Sequence, residues 1–206
     1  MSRNARRVSW LHGVAALLAS ACAPAPAPPV PALAPLAVPA PAPGCDRILV
    51  IEVAKRERRL RARCESGGVI EMPVALGRRS QGDKRGVGDS RTPEGHYRIS
   101  GPARLSRFHR FIPIDYPSMA DAATARAEGR LSEADYRRIA AAHGLAEPPP
   151  ADTALGGYLG LHGEGKKWRG DSRFLDWTHG CIGLADADID FIAARSSVGT
   201  PVVIVP

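Results

Sequence analysis

Residues 48–76 read ILVIEVAKRERRLRARCESGGVIEMPVAL, and this stretch predicts three consecutive β-strands. β-Branched residues dominate its beginning, as is typical of strands. Arg59, Arg61 and Arg63 then alternate with apolar residues, which is the period-two pattern of a half-buried strand. Gly67-Gly68 turns the chain into the third strand. We therefore expect a β-meander whose basic face is solvated, with contact to an anionic polymer as the alternative.

The same pattern continues along the rest of the chain and is interrupted by helical segments. Residues 77–95 are rich in glycine and charge and predict a long ordered loop; they lack the G-K-[ST] context of a phosphate-binding loop. The predicted strands are 96–99, 110–114 and 202–205, and the predicted helices are 119–128, 132–144 and 186–195. These elements indicate one mainly β domain over residues 45–206.

Composition excludes several classes of protein. The chain has 206 residues, of which 44% are hydrophobic and 24% are charged, as in an ordinary globular domain. It is neither disordered throughout nor a polytopic membrane protein. Four cysteines are too few for a disulfide-built miniprotein.

Residues 1–21 have the features of an export signal. Three arginines precede an apolar run that is too short to span a bilayer, and Ala19-Ser20-Ala21 is a small-residue cleavage pattern. Of 28 basic residues, removal of those three would leave 25 against 21 acidic ones, so the formal charge would fall from +7 to +4. The excess of basic over acidic residues is therefore partly due to the leader, and we expect no nucleic-acid partner.

Cys22 follows this pattern directly and resembles the lipidated cysteine of a bacterial lipoprotein. Simple cleavage that leaves an inert Cys22 is the alternative. Residues 23–44 contain nine prolines and eight alanines, a composition that favours polyproline II and cannot bury a core. We therefore expect a signal peptide over 1–21, a stiff tether over 22–44 and a periplasmic location, with membrane contact only through a lipid on Cys22.

Cys45 and Cys64 would share the oxidising compartment of an exported protein, which favours a disulfide. The predicted turn sets Cys64 opposite Leu49, several residues from Cys45, whereas a bridge needs Cα atoms within about 7 Å. A bent first strand or a shifted turn would remove that conflict. The sequence therefore leaves the bridge open.

The residues best suited to catalysis are His162-Gly163 and Trp177-Thr178-His179-Gly180-Cys181. A thiol is mostly protonated near neutral pH, while its thiolate is the nucleophile, so a reactive cysteine needs a base. An imidazole accepts that proton and returns it to a leaving amine. His162, His179 and Cys181 therefore predict acyl transfer through a covalent intermediate. Gly180 permits close approach of the backbone, and the N–H groups of Gly180 and Cys181 are candidate oxyanion donors.

Two other interpretations of these residues stay open. The two histidines and Cys181 would be three zinc ligands, although the spacing is not a usual structural-zinc pattern and no fourth ligand stands out. Alternatively, Cys181 is a buried thiol among core histidines. A free cysteine in an exported chain favours a functional role, because oxidation is a hazard there.

The motif resembles the signature of the L,D-transpeptidases with a YkuD-type catalytic domain, which is His-Gly, a loop of a dozen or more residues, and [Ser/Thr]-His-Gly-Cys. His162-Gly163 and Thr178-His179-Gly180-Cys181 have a fitting separation. The resemblance also includes the strands before Gly77, the loop 82–95 and Gly199-Thr200-Pro201-Val202, so it covers most of 45–206. It implies a mainly β fold, a YkuD-like β-sandwich of mixed sheets with a few inserted and peripheral helices.

By this resemblance, Cys181 is the nucleophile, His162 exchanges the proton and His179 is the second histidine of the site. The enzyme would release the terminal D-alanine of a peptidoglycan tetrapeptide stem by attack at the L-centre of diaminopimelate. This reaction passes through a Cys181 thioester and needs no metal or organic cofactor. The predicted substrate contacts are Gly163, Thr178, Trp177 and Arg169.

The acceptor of the acyl group has several candidates. By the same resemblance, an amine of a second stem or of an outer-membrane lipoprotein would resolve the thioester. Water as acceptor would make the protein an L,D-carboxypeptidase or a peptidoglycan amide hydrolase. A non-catalytic cell-wall-binding module is an alternative of a different class.

One position departs from the family's pattern. Many members have Arg or Asn two residues after the cysteine, where this chain has Gly183, so a side chain that could bind a carboxylate is missing. Arg169 or Arg173, in the loop between the two His-Gly pairs, is a candidate replacement. The insertion 115–155 and Asp176-Trp177-Thr178 are more similar to the murein-transpeptidase subgroup named after YafK.

Overall fold

The structure is a computed structural model that describes residues 44–167 and 175–206. The predicted leader, Cys22 and nearly all of the tether lie outside these residues. The described strands are β1 (Ile48–Ala54), β2 (Arg59–Cys64), β3 (Val69–Pro73), β4 (Gly95–Arg98), β5 (Arg104–Ser106), β6 (His109–Pro113), β7 (Gly160–His162), β8 (Ile182–Gly183) and β9 (Pro201–Val205). The described helices are α1 (Met119–Ala127), α2 (Glu133–Gly144) and α3 (Asp186–Arg195).

These strands form two mixed sheets. The five-stranded sheet has the order β3-β2-β1-β9-β4, and the four-stranded sheet has the order β5-β6-β7-β8. In the first sheet β1 is antiparallel to β2 and parallel to β9, and in the second β7 is parallel to β8. Buried side chains of both sheets and of α3 form one apolar cluster, which includes Ile51, Leu161 and Ile189. The expected mainly β fold of mixed sheets with a few helices is confirmed.

A β-bulge in β1 resolves the question of the disulfide. The β1–β2 register shifts between Ile48 and Val50, so Cys64 lies opposite Ile48 rather than Leu49. The shift and the bend that a bulge produces bring the chain before β1 towards the end of β2. Cys45 and Cys64 form a disulfide, with Cα atoms 5.2 Å apart.

The basic face of β2 is largely neutralised by acidic neighbours. Arg61 donates to Glu71 at 2.7 Å and also pairs with Glu57. Arg63 donates to Glu52 at 2.8 Å. Cross-strand ion pairs of this kind favour the solvated face that the sequence predicts over contact with an anionic polymer.

The third strand ends earlier than predicted, and this early end positions the functional residues. β3 stops at Pro73, which has no N–H to donate to a ladder. The chain then crosses to the second sheet, where Ala75 and Gly183 exchange backbone hydrogen bonds of 2.9 and 2.8 Å. Next, Thr178 N–H donates to the Leu76 carbonyl at 3.1 Å, and Arg78 N–H donates to the Thr178 carbonyl at 3.0 Å. Residues 75–78 therefore support the segment that contains Cys181.

The inserted helices have a small core of their own. Ser118 and Asp121 form a capping box at the start of α1, and Ser132 caps α2. The two helices bury a separate cluster, which consists of Ala122, Ala125, Leu131, Ile139 and Leu155. In the described ranges, no helix combines the length and apolar character needed to cross a membrane.

Candidate active site

His162 lies at the end of β7 and is held between aromatic rings. Its side chain is 3% exposed. The Phe108 ring stacks on the imidazole with centroids 4.6 Å apart, and the Trp177 indole meets it edge-on at 5.3 Å. Nδ1 lies 2.8 Å from the Gly163 carbonyl oxygen, which can only accept, so Nδ1 holds the proton and Nε2 is the basic nitrogen. Burial lowers the pKa of His162, and the charge of Arg107 lowers it further, while the bond to Gly163 opposes them. The imidazole is therefore held neutral in one tautomer.

The register of β7 and β8 relates the position of Cys181 to that of His162. Leu161 lies opposite Ile182, and His162 lies opposite Gly183. Cys181 directly precedes β8. Extending the alternation of that strand back by one residue would put its side chain on the same face as His162.

The Cys181 thiol is half-buried and neutral. Burial raises its pKa to about 11, against smaller opposing effects of the Gly160 backbone and the Lys84 charge. The thiol lies 3.9 Å from the Tyr158 carbonyl oxygen, to which it donates. The free protein therefore holds a thiol beside an imidazole rather than a thiolate beside an imidazolium. Formation of the nucleophile then requires proton transfer during the attack.

Thr178 braces the turn that presents Cys181. Its hydroxyl donates to the Cys181 carbonyl at 2.7 Å and accepts from the Gly180 N–H at 3.1 Å. Thr178 is 3% exposed, so these contacts lie away from solvent. Gly180 has φ +133°, and a Cβ there would lie 2.7 Å from the Arg91 carbonyl oxygen. Only glycine fits this position without moving the backbone.

The glycine-rich loop 77–95 packs against this turn. Two buried lysines hold it, since Lys55 donates to Glu94 at 2.8 Å and Lys84 donates to Asp89 at 2.7 Å. Ser90 Oγ lies 3.4 Å from Nδ1 of His179, an exposed residue. The loop therefore contacts both the second histidine and the backbone of Gly180.

Trp177 occupies the space above Gly183. A Cβ at Gly183 would lie 3.2 Å from Cζ2 of Trp177 and 3.4 Å from the Ala75 side chain. Asp176 anchors the residue before the indole: it accepts from Arg58 Nη2 at 2.7 Å and from the Leu76 N–H at 3.1 Å. Burial of the indole over Gly183 explains why this chain lacks a side chain at that position.

An open cleft of about 840 Å³ lies beside these residues. The tip of the β5–β6 hairpin forms one side, and Trp177 and His179 form another. Three cationic side chains and one carboxylate also line it: Arg78, Arg107, Lys166 and Asp186. Phe108 and Trp177, which line the cleft, are also the two rings that contact His162.

The structure gives several of the predicted site residues contacts other than the expected ones. The Gly180 N–H, expected as an oxyanion donor, is already donated to Thr178. The Cys181 N–H has no hydrogen-bond acceptor within 44–167 and 175–206. Gly163 is buried, and a Cβ there would lie 2.4 Å from Asp186 Oδ1. The absence of a side chain at this position therefore allows Asp186 to pack closely against the backbone. Arg169 and Arg173 lie outside the described residues.

A metal-binding cluster was the alternative for the same residues. Within the described part of the chain, no group of three or more His, Cys, Asp or Glu is placed to hold a metal ion. The separate positions of the two histidines agree with this finding, because His162 is buried under aromatic rings and His179 is exposed next to Ser90. The arrangement fits proton transfer and nucleophilic attack better than coordination.

Sequence reasoning missed the aromatic and cationic residues of the hairpin. Arg107 and Phe108 follow β5 and have no motif or period that marks them. Sequence analysis could have identified Ser90, because residues 88–95 carry part of the family resemblance. Its contact with His179 nevertheless depends on chain segments 89 residues apart.

Comparisons with known proteins extend the resemblance. A model of the family YkuD, described as the L,D-transpeptidase catalytic domain, matches residues 48–204. No curated protein matches this chain. Among solved structures, the chain is similar to Bd1075 of Bdellovibrio bacteriovorus, with 20% identity, a TM-score of 0.45, and coverage of 77% of this chain and 48% of that one.

Two further solved structures are L,D-transpeptidases. The one from Enterococcus faecium is 14% identical with a TM-score of 0.45, and the match covers 77% of this chain and 50% of that one. The one from Mycobacterium smegmatis is 12% identical with a TM-score of 0.44, and the match covers 76% of this chain and 58% of that one. The matches therefore span about half the length of these three proteins.

Proposed function

The chain belongs to the YkuD family of L,D-transpeptidase catalytic domains, and from that premise we propose that it is a cysteine-dependent L,D-transpeptidase acting on peptidoglycan tetrapeptide stems. One observation carries this proposal more than any other. His162 ends β7 and Cys181 directly precedes the paired strand β8, and the bond from Nδ1 of His162 to the Gly163 carbonyl leaves Nε2 as the basic nitrogen, which supports the proposal.

The proposed acylation begins with both partners neutral. Nε2 of His162 takes the Cys181 proton while sulfur attacks the carbonyl carbon at the L-centre of the stem. The tetrahedral intermediate then expels the amine of the terminal D-alanine, which takes the proton from the imidazolium, and a thioester remains. An acceptor amine gives its proton to His162 as it attacks the thioester, and the thiol is restored. This sequence uses one base and needs no cofactor.

The Cys181 N–H is the donor best placed to stabilise the oxyanion. It belongs to the attacking residue and has no acceptor among the described residues. The Gly180 N–H would join it only if its bond to Thr178 opened. We therefore assign Thr178 the role of holding the turn, which keeps the sulfur and the Cys181 N–H in a fixed relation.

The finer parts of the proposal concern location and acceptor, and their support is the sequence. Residues 1–21 and Cys22 support export and attachment to a membrane through a lipid, with the tether and domain in the periplasm. The insertion 115–155 supports the YafK-like subgroup. An amine of a second stem, an amine of an outer-membrane lipoprotein, and water are the candidate acceptors.

Incubation with purified tetrapeptide muropeptides tests the proposal directly. We expect release of D-alanine, with cross-linked dimers if an amine accepts and tripeptides if water accepts, measured by mass spectrometry. Cys181→Ala should abolish every product while leaving the melting temperature unchanged. Products that persist in Cys181→Ala would rule out the cysteine mechanism, and stem binding without any product in the wild type would indicate a wall-binding module.

A further inference from the structure

The cleft beside Trp177 and His179 has more positive than negative side chains among its described lining residues. Arg78, Arg107 and Lys166 line it and are exposed. Within 44–167 and 175–206, none of the three forms an ion pair. The carboxylate in the lining, Asp186, accepts from the N–H groups of Glu164 and Gly165 at 2.9 and 3.0 Å. Such a cleft favours an anionic ligand.

Arg107 is the cation with a demonstrable link to the reacting groups. Its guanidinium lies 4.7 Å from the centroid of the Phe108 ring. That ring also stacks on His162, with centroids 4.6 Å apart, so Phe108 is in contact with both the guanidinium and the imidazole. The charge of Arg107 contributes to the lowered pKa of His162, which supports the same proximity.

The segment after the nucleophile supplies no competing cation. Gly183 has no side chain, and the Trp177 indole lies over its Cα. A positive group for a substrate carboxylate must therefore come from another part of the cleft wall. The hairpin that carries Arg107 forms the wall on the His162 side.

The chemistry of the leaving group points to the same side of the cleft. If the proposed function holds, His162 gives its proton to the amine of the departing residue. The carboxylate of that residue is only two covalent bonds from that nitrogen, so it must lie near His162 as well. We propose that Arg107 is a specificity-determining residue that binds the terminal carboxylate of the leaving residue. A guanidinium is suited to this task because it donates two parallel hydrogen bonds to one carboxylate.

A pair of substrates isolates this contact. The tetrapeptide stem with a free terminal carboxylate is compared with the same stem carrying a terminal carboxamide. Arg107→Gln should lower kcat/KM for the free acid by about 10- to 100-fold, as expected for loss of a charge-assisted hydrogen bond, and change the amide by less than about 3-fold. Equal losses for both stems, or no loss for either, would overturn the proposal.

Arg104→Gln is the matched control. Arg104 lies on the same hairpin, but its guanidinium stacks over Phe111 at 5.0 Å and does not line the cleft. This variant should leave kcat/KM for both stems within about 2-fold. If Arg104→Gln lowered kcat/KM for the free acid as selectively and as much as Arg107→Gln, the effect would come from the general charge of the hairpin. That result would overturn the specific contact.

A second measurement does not depend on turnover. Iodoacetate and iodoacetamide alkylate a thiol in the same way and differ in a carboxylate against a carboxamide. The rate of Cys181 alkylation by each reagent is measured on the peptide that contains this residue. The ratio of the iodoacetate rate to the iodoacetamide rate should fall about 3- to 10-fold in Arg107→Gln and stay unchanged in Arg104→Gln. A fall without any turnover of stems by the wild type would reject the proposed function and keep the anion contact. Normal turnover with an unchanged ratio and unchanged acid preference would reject the contact alone.

Discussion

The two sheets differ in how far local pattern determines them. In the five-stranded sheet, β1 has seven residues and β2 has six, and buried residues alternate with more exposed ones along β2. In the four-stranded sheet, β5 and β7 have three residues each and β8 has two. Of the proposed catalytic residues, His162 ends β7 and Cys181 directly precedes β8, so both belong to the region with the shorter strands. Their positions depend on contacts from distant segments, whereas the first sheet is stabilised by its own register and by a disulfide.

We expect the largest difference in kcat/KM between the two regions from a pair of glycine substitutions, one in each region. Gly180→Ala places a Cβ 2.7 Å from the Arg91 carbonyl oxygen at φ +133°, so the turn must shift. A displacement of about 1 Å at a reacting group can cost about 100-fold, and we expect at least that loss in kcat/KM.

Gly68→Ala, in the turn between β2 and β3, is the control for this change. Its nearest contact outside its chain neighbours would be Ser66 Oγ at 3.8 Å, an ordinary distance. We expect kcat/KM to change by less than about 2-fold and the melting temperature to stay similar. Equal losses in both variants would contradict the assignment of activity to the second sheet.

The pH dependence should show that the site starts from neutral groups. Because burial raises the pKa of Cys181 to about 11, its rate of alkylation by iodoacetamide should increase about 10-fold per pH unit across the neutral and mildly alkaline range. Because burial lowers the pKa of His162, the acid limb of kcat/KM should lie below the ordinary histidine value of about 6.5. A pH-independent alkylation rate around neutrality would instead reveal a preformed thiolate–imidazolium pair.

Removal of the disulfide should affect the scaffold alone. The double substitution of Cys45→Ala and Cys64→Ala removes a cross-link between residues that are 19 positions apart in the sequence. The free energy of unfolding should fall by about 3 kcal/mol, measured by denaturant titration. The alkylation rate of Cys181 should change by less than about 2-fold. A large change in that rate would show that the two sheets are coupled more tightly than their separate supports suggest.

The predictable part of the fold is the part with a repeating pattern. Arg59, Arg61 and Arg63 mark β2 through alternation, and Ser132 marks the start of α2 through capping. β5, β7 and β8 were not predicted, because strands of two or three residues contain too little sequence for a period to be detected. The bulge that places Cys64 opposite Ile48 was also beyond sequence reasoning, since it depends on a one-residue shift in register.

In the candidate site, too, some features could be predicted from sequence and others could not. Cys181 and His162 were named from their residue types and spacing, and the family match at residues 48–204 agrees with that resemblance. The contact of Phe108 with His162 and the absence of an acceptor for the Cys181 N–H among the described residues could not be predicted, because each depends on which backbone or ring lies nearby. The neutral state of the thiol likewise follows from burial, which a motif does not contain.

By itself the chain's sequence determined a mainly β domain and its principal helices, and it named a candidate nucleophile and a candidate base, because periodicity and side-chain chemistry are local properties. Only the tertiary structure decided which nitrogen of His162 is basic, which bond the Gly180 N–H makes, and which arginines line the cleft. Those outcomes depend on hydrogen-bond partners and on exclusion of water, and both are supplied by segments far away along the chain.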